Sequence, residues 1–141
     1  MAFKPGHLAY IGLDNAAGAV QNVSTYGDDF SFPYTVEMLD TTTFGSGVKR
    51  FIPGLAGGDT LSLSGPLDTT FHAQIAAMLG TQAAGGSSFS ILYGPGGSVS
   101  GQPKQSAEVF IASYEPSTGV SGRAEYSCSL QVDGAVTHST W

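Results

Sequence analysis

Residues 37–68 read EMLDTTTFGSGVKRFIPGLAGGDTLSLSGPLD. The stretch starts as a strand, breaks into a Thr- and Gly-rich segment, and returns as a strand. Residues 40–57 thus read as a long inter-strand loop. A loop of that length on a free monomer is expected to be polar. Here a basic pair, Lys49 and Arg50, runs into Phe51, Ile52, Pro53 and Leu55, and Phe44 stands among the threonines. The direct physical reading is that a partner chain buries these side chains. Packing beneath an ordered loop of the same chain is the competing reading.

On the N-terminal side, Phe30, Phe32, Tyr34, Val36 and Met38 alternate with Asp29, Ser31, Pro33, Thr35 and Glu37. Period-2 alternation predicts one strand with an apolar face. Pro33 cannot donate a ladder hydrogen bond, so the strand is an edge or carries a bulge there. Residues 7–13 and 19–24 read as a hairpin about a DNAAG turn. On the C-terminal side, residues 58–65 are a strand. A helix follows over residues 68–79, opened by Asp68 as N-cap and closed by Gly80. Its stripe is Leu67, Phe71, Ile75, Met78 and Leu79. Strands are expected over 88–94, 106–115 and 123–133, the last alternating Ala124, Tyr126, Cys128, Leu130 and Val132 with polar residues. Residues 95–105 read as an exposed loop. The expected fold is mainly β: an antiparallel β-sandwich or barrel of about seven strands with one flanking helix.

The chain has 141 residues, read as one domain (1–141) with an N-terminal arm (1–6) and a C-terminal tail (134–141). Only 11% of residues are charged, against about a quarter in ordinary domains. A surface of Ser, Thr, Gly and Gln loses little hydration energy when covered. That suits packing against copies of the same chain. The net charge of −6 argues against a surface that grips nucleic acid. One cysteine, Cys128, allows no intrachain disulfide. Pro5 and Gly6 stand where a signal peptide would have its apolar helix, and no apolar run approaches a membrane span, so no membrane insertion is expected.

No constellation of residues supports catalysis or a cofactor. His7, His72 and His138 lack metal-ligand spacing. GPGGSVSG (94–101) lacks the Lys-Ser/Thr pair and the helix of a phosphate loop. Cys128 points inward on an alternating strand and reads as a small hydrophobe. An enzyme is the least supported class, and no metal or cofactor is expected.

Three blocks carry a family resemblance: E-x-L-D-T-T-T-F-G-S (37–46), K-R-F-I-P-G-L (49–55) and G-D-T-L-S-L-S-G (58–65). In this order and spacing the chain resembles the major tail tube proteins of tailed bacteriophages. The match is densest over residues 35–68. The resemblance implies homo-hexameric rings stacked into a hollow tube that conducts DNA from capsid to host. It implies a virion location after assembly in the host bacterial cytoplasm. The implied partners are further copies of the chain and the tail-tip or baseplate, tape-measure and tail-terminator proteins, with DNA passing without adhesion. Thr42, Phe44, Lys49, Arg50, Phe51, Ile52, Pro53 and Leu55 become candidate subunit or ring contacts. Asp29, Glu37, Glu125 and Asp133, on outward strand faces, become candidates for the bore. The alternatives are a tube protein of the type VI secretion kind, and a non-enzymatic virion decoration or carbohydrate-binding β-sandwich.

Overall fold

A computed structural model describes residues 3–141; of the expected N-terminal arm, residues 1 and 2 lie outside the described part. Nine strands and one helix follow in the order β1 (Tyr10–Asp14), β2 (Val20–Asn22), β3 (Asp29–Ser31), β4 (Val36–Asp40), β5 (Phe51–Ala56), β6 (Thr60–Pro66), α1 (Thr69–Ala83), β7 (Phe89–Gly94), β8 (Pro103–Ser117) and β9 (Glu125–Thr140). Seven strands form one antiparallel sheet in the order β2-β1-β7-β8-β9-β6-β3. β4 and β5 pair only with each other. The mainly β, antiparallel class is as expected. The sheet curls until Phe30 of β3 meets Tyr93 of β7, ring centroids 4.7 Å apart, giving a sandwich-like body that does not close into a barrel.

Alternation puts one set of side chains on the face that α1 covers. Leu61 and Leu63 of β6 pair with Leu130 and Cys128 of β9. Ile111 pairs with Leu130, Val109 with Val132, and Leu13 with Ile91. Phe71, Ile75 and Met78 of α1 are fully buried against this layer. Phe71 lies between Tyr26 and Tyr126, at 5.5 and 4.8 Å. The Tyr126 hydroxyl donates to the Tyr26 carbonyl at 2.7 Å, which gives a buried polar atom its partner.

Asp68 caps α1 as expected, its Oδ1 accepting from the Thr70 N–H at 2.8 Å. The expected stop at Gly80 is corrected. Gly80 lies on an exposed turn within the helix, which runs to Ala83, and the chain reverses at Gly85 with φ +82°. Gln82 in that extra turn decides the matter. Its side chain donates to the Ile111 carbonyl (2.9 Å) and accepts from the Ile111 N–H (2.8 Å). Ile111 begins a bulge in β8, so the last helical turn supplies hydrogen bonds that the ladder lacks.

Three further expectations change. The alternating run 30–38 is not one strand: it divides at residues 32–35 into β3, an edge of the main sheet, and β4. The segment 40–57 is not all loop, because Phe51–Ala56 is β5, paired with β4. Residues 134–140 are not a loose tail: they continue β9, pairing Thr137 with Ser106 and Thr140 with Pro103. Gly134, at φ +90°, sits where the β8–β9 register shifts, so the ribbon carries a bulge there.

Burial pushes the Cys128 thiol up to about 12 and raises Tyr126 and Tyr114 as well, Cys128 adding to both. A group whose folded pKa is raised binds its proton more tightly folded than unfolded. Its contribution is therefore present below the unfolded value near 9 and fades as pH climbs towards 12. Urea titrations are expected to show stability falling above pH 9, by up to about 1.4 kcal/mol per pH unit from this thiol. Cys128→Ala should flatten that slope; an unchanged slope assigns the loss elsewhere.

Candidate assembly surface

The β4–β5 hairpin is an arm. Residues 36–56 contribute nothing to the buried core. Phe44 and Leu55 are 113% and 84% exposed. Phe51, Ile52, Met38, Leu39 and Val48 are exposed too. Register places Leu39 opposite Ile52, and Met38 opposite Pro53. Both faces of this two-stranded ribbon are thus apolar, and neither rests on the body. Exposed apolar surface on this scale marks an interaction site.

The arm is locally ordered by its own polar groups. Asp40 Oδ1 accepts from the Thr42 N–H at 2.8 Å; the Thr42 side chain first, and this backbone N–H second, hold its carboxyl below the usual range. The Thr42 hydroxyl accepts from the Arg50 N–H at 2.9 Å, and the Thr41 N–H donates to the Arg50 carbonyl at 2.8 Å. The Thr-rich sequence therefore builds a tip that presents Phe44, Lys49 and Arg50. All eight contact candidates, from Thr42 to Leu55, lie on this hairpin. Met38, Leu39 and Val48 join them. Sequence reading did not single these three out; Met38 closes the apolar face of the alternating run 30–38 and so reads as core.

At its base the arm is latched. The Thr35 N–H and hydroxyl both donate to the Asp59 carboxylate, at 2.9 Å each, and the Gly57 N–H donates to the Thr35 carbonyl at 2.9 Å. Gly57 and Gly58 turn the chain at φ +90° and +77°, a conformation other residues resist. Tyr34 packs edge-on against His138 at 5.0 Å. Asp59→Ala should leave the core intact and raise the hydrogen-exchange rate of arm amides by roughly tenfold, the loss of two hydrogen bonds. Equal rates in both proteins would remove the latch.

The sheet face opposite α1 is different. Across the central strands it carries Ser62, Ser64, Ser127, Ser129 and Gln131, with Ser90 and Ser106 towards β7. Asp29, Glu125 and Asp133 all lie on this face, each exposed. Register adds Glu108, opposite Asp133, and Glu115, opposite Ser127. Glu108 accepts from the hydroxyls of Ser88 (3.1 Å) and Ser90 (2.6 Å). Glu37 is the exception: it belongs to the arm, folded over Gly54. Among cations, Lys104 at one end of the face lies over the Trp141 ring at 4.7 Å. Arg123 pairs with Asp28 (2.5 Å) and Glu125 (2.9 Å). The result is a hydroxyl-rich, acidic sheet surface.

Among the described residues there is no group of three His, Cys, Asp or Glu that could hold a metal ion, and no helix is long and apolar enough to cross a membrane. No protein-family model matches the chain, and no curated protein matches it. Solved structures do. The tail of an empty gene transfer agent particle, determined with C6 symmetry, aligns at TM-score 0.77 and 16% identity, covering 98% of this chain and 100% of that one. The SPP1 tail tube aligns at TM-score 0.71 and 17% identity, covering 99% of this chain and 80% of that one. The fold is the tail tube fold. A chain of the sheath–tube complex of an extracellular contractile injection system shares it at TM-score 0.70 and 13% identity, covering 99% of this chain and 93% of that one. These alignments span nearly the whole chain, so the arm and the long β8–β9 ribbon are parts of one tail tube architecture.

Proposed function

We propose that this chain is a structural, non-enzymatic virion protein whose homo-hexameric rings stack into the tail tube through which DNA passes. The observation that carries the reading is the arm: a formed hairpin, apolar on both faces, that its own body leaves uncovered. Copies of the same chain supply the cover. A contact between an arm and a different patch on the next molecule is heterologous and does not close, so it propagates into a filament. Within a ring, the short edge strands β2 and β3 meet those of neighbours, which removes free sheet edges.

The serine-rich acidic face fits the wall of the bore, with Glu125 and Asp133 joined by Glu108 and Glu115; Asp29, on the edge strand β3, is better placed for a contact between copies. Glu37 is better placed for a ring contact. Six copies carry roughly −36 charges per ring, and like charge keeps DNA from adhering as it slides. The remaining partners follow from the geometry of a finite tube: a tip or baseplate complex that starts it, a tape-measure protein in the bore and a terminator that ends it. Assembly in a host cytoplasm suits a chain whose one thiol is buried.

Negative-stain electron microscopy of concentrated purified protein is the test. Rings or tubes with six-fold symmetry are expected. Isolated globules at every concentration would overturn the reading.

A further inference from the structure

The open seam of the body is the most distinctive feature left unused. Between β1 and β3 it forms a cleft of about 730 Å3. Ile11, Phe30 and Tyr93 give it an apolar interior, and His7, Asp28 and Asp29 are exposed around it. The geometry points to this cleft as the receptor for the arm tip of a second copy, with Phe44 entering the apolar interior and Lys49 and Arg50 facing Asp28 and Asp29. The inference rests on the tube reading above and names the surface that reading leaves open.

Charge complementarity selects the occupant. Of the five cations, Arg123 is paired, Lys104 is held over Trp141, and Lys4 lies against Gly96 beside the cleft of its own chain. Lys49 and Arg50 make no ion pair among the described residues, and they share the arm tip with Phe44, whose side chain is exposed. Asp28 spends part of its charge on Arg123, while Asp29 has no cation within pairing distance among the described residues. A Phe ring buries about 150–250 Å2 of surface when enclosed, and the cleft has room for it with the neighbouring tip residues.

In the single chain Phe44 is 113% exposed, so its own cleft does not hold it, and a second copy is the occupant. The arm is rooted at the Asp59–Thr60 end of β6. Asp28 is tied to the other end, its N–H donating to the Ser64 carbonyl at 2.9 Å. Four residues of strand, about 13 Å, separate these attachments. Donor and receptor thus lie on different patches of one molecule, as a propagating head-to-tail contact requires.

The test uses the full chain. Lys49→Glu/Arg50→Glu and Asp28→Lys/Asp29→Lys are each expected to raise the concentration needed for tubes at least about tenfold, since like charges then meet across the contact. The combined four-fold variant is expected to recover tubes. In parallel, a photo-reactive benzoylphenylalanine at position 44, in a mixture of isotopically light and heavy protein, should cross-link to residues 6–11 or 24–30 of another copy. Should Asp28→Lys/Asp29→Lys fail to fold by circular dichroism, this mapping decides. Cross-links elsewhere, or none, overturn the pairing, as does a folded four-fold variant without tubes. Tubes with cross-links elsewhere leave the tube reading standing, whereas wild-type protein without tubes or rings defeats that reading.

Discussion

Excising residues 36–56, with a Gly-Ser link from Thr35 to Gly57, is expected to yield a folded protein that forms no tubes. The cut is local because the two ends already touch: the Gly57 N–H donates to the Thr35 carbonyl. None of the excised side chains belongs to the buried core. Surface changes away from buried or strained features usually shift stability by about 0.5 kcal/mol or less, so the melting temperature should move by only a few degrees. Assembly should disappear, because the excision removes Phe44, Phe51, Ile52 and Leu55 together with two of five cations. Circular dichroism and electron microscopy on the same sample read both halves. Tubes like those of the wild type would remove the arm from the mechanism, and an unfolded product would show that the body depends on it.

Phe71→Ala is expected to do the reverse. Phe71 is fully buried and packs on Tyr26 and Tyr126. Truncating a buried Phe costs about 3–5 kcal/mol, from lost transfer energy and the cavity left behind. A domain of this size has about 7–15 kcal/mol in total. The loss should lower the urea midpoint by a large fraction while every arm residue is untouched. The cavity would lie where α1 meets the sheet, so the Tyr126–Tyr26 hydrogen bond should loosen as well. A loss under about 1 kcal/mol, below the range for buried aromatic truncation, would mean that the helix contributes little to the body.

Read together, the two variants separate what holds one molecule from what joins several. Apolar residues of the body meet each other across paired strands, as Leu61 meets Leu130 and Leu13 meets Ile91. Those of the arm meet only one another and solvent in the single chain. The same residue types therefore have opposite roles according to whether a second layer covers them.

Alternation and spacing carried the strands of the body. Tyr126, Cys128, Leu130 and Val132 are buried as period 2 requires, and the 71–75–78 stripe faces the core at helical spacing. Asp68 as cap was equally plain, since its chemistry is local. What failed were boundaries set by distant partners. Gly80 reads as a stop, yet the helix continues because Gln82 bonds to a bulge 29 residues away. Pro53 reads as loop, yet it pairs with Met38 of β4, because β5 is an edge strand and an edge tolerates Pro.

Local chemistry in the chain thus dictated which residues turn, cap and alternate, because those preferences act over a few bonds. It also set the acidic balance and the odd concentration of exposed-looking apolar groups at residues 44–55. The folded body alone settled that residues 30–38 serve two sheets, that β9 extends to Thr140, and that five carboxylates share one serine-rich face. Those outcomes depend on which strands become neighbours, and neighbours are chosen by burial summed over the whole chain.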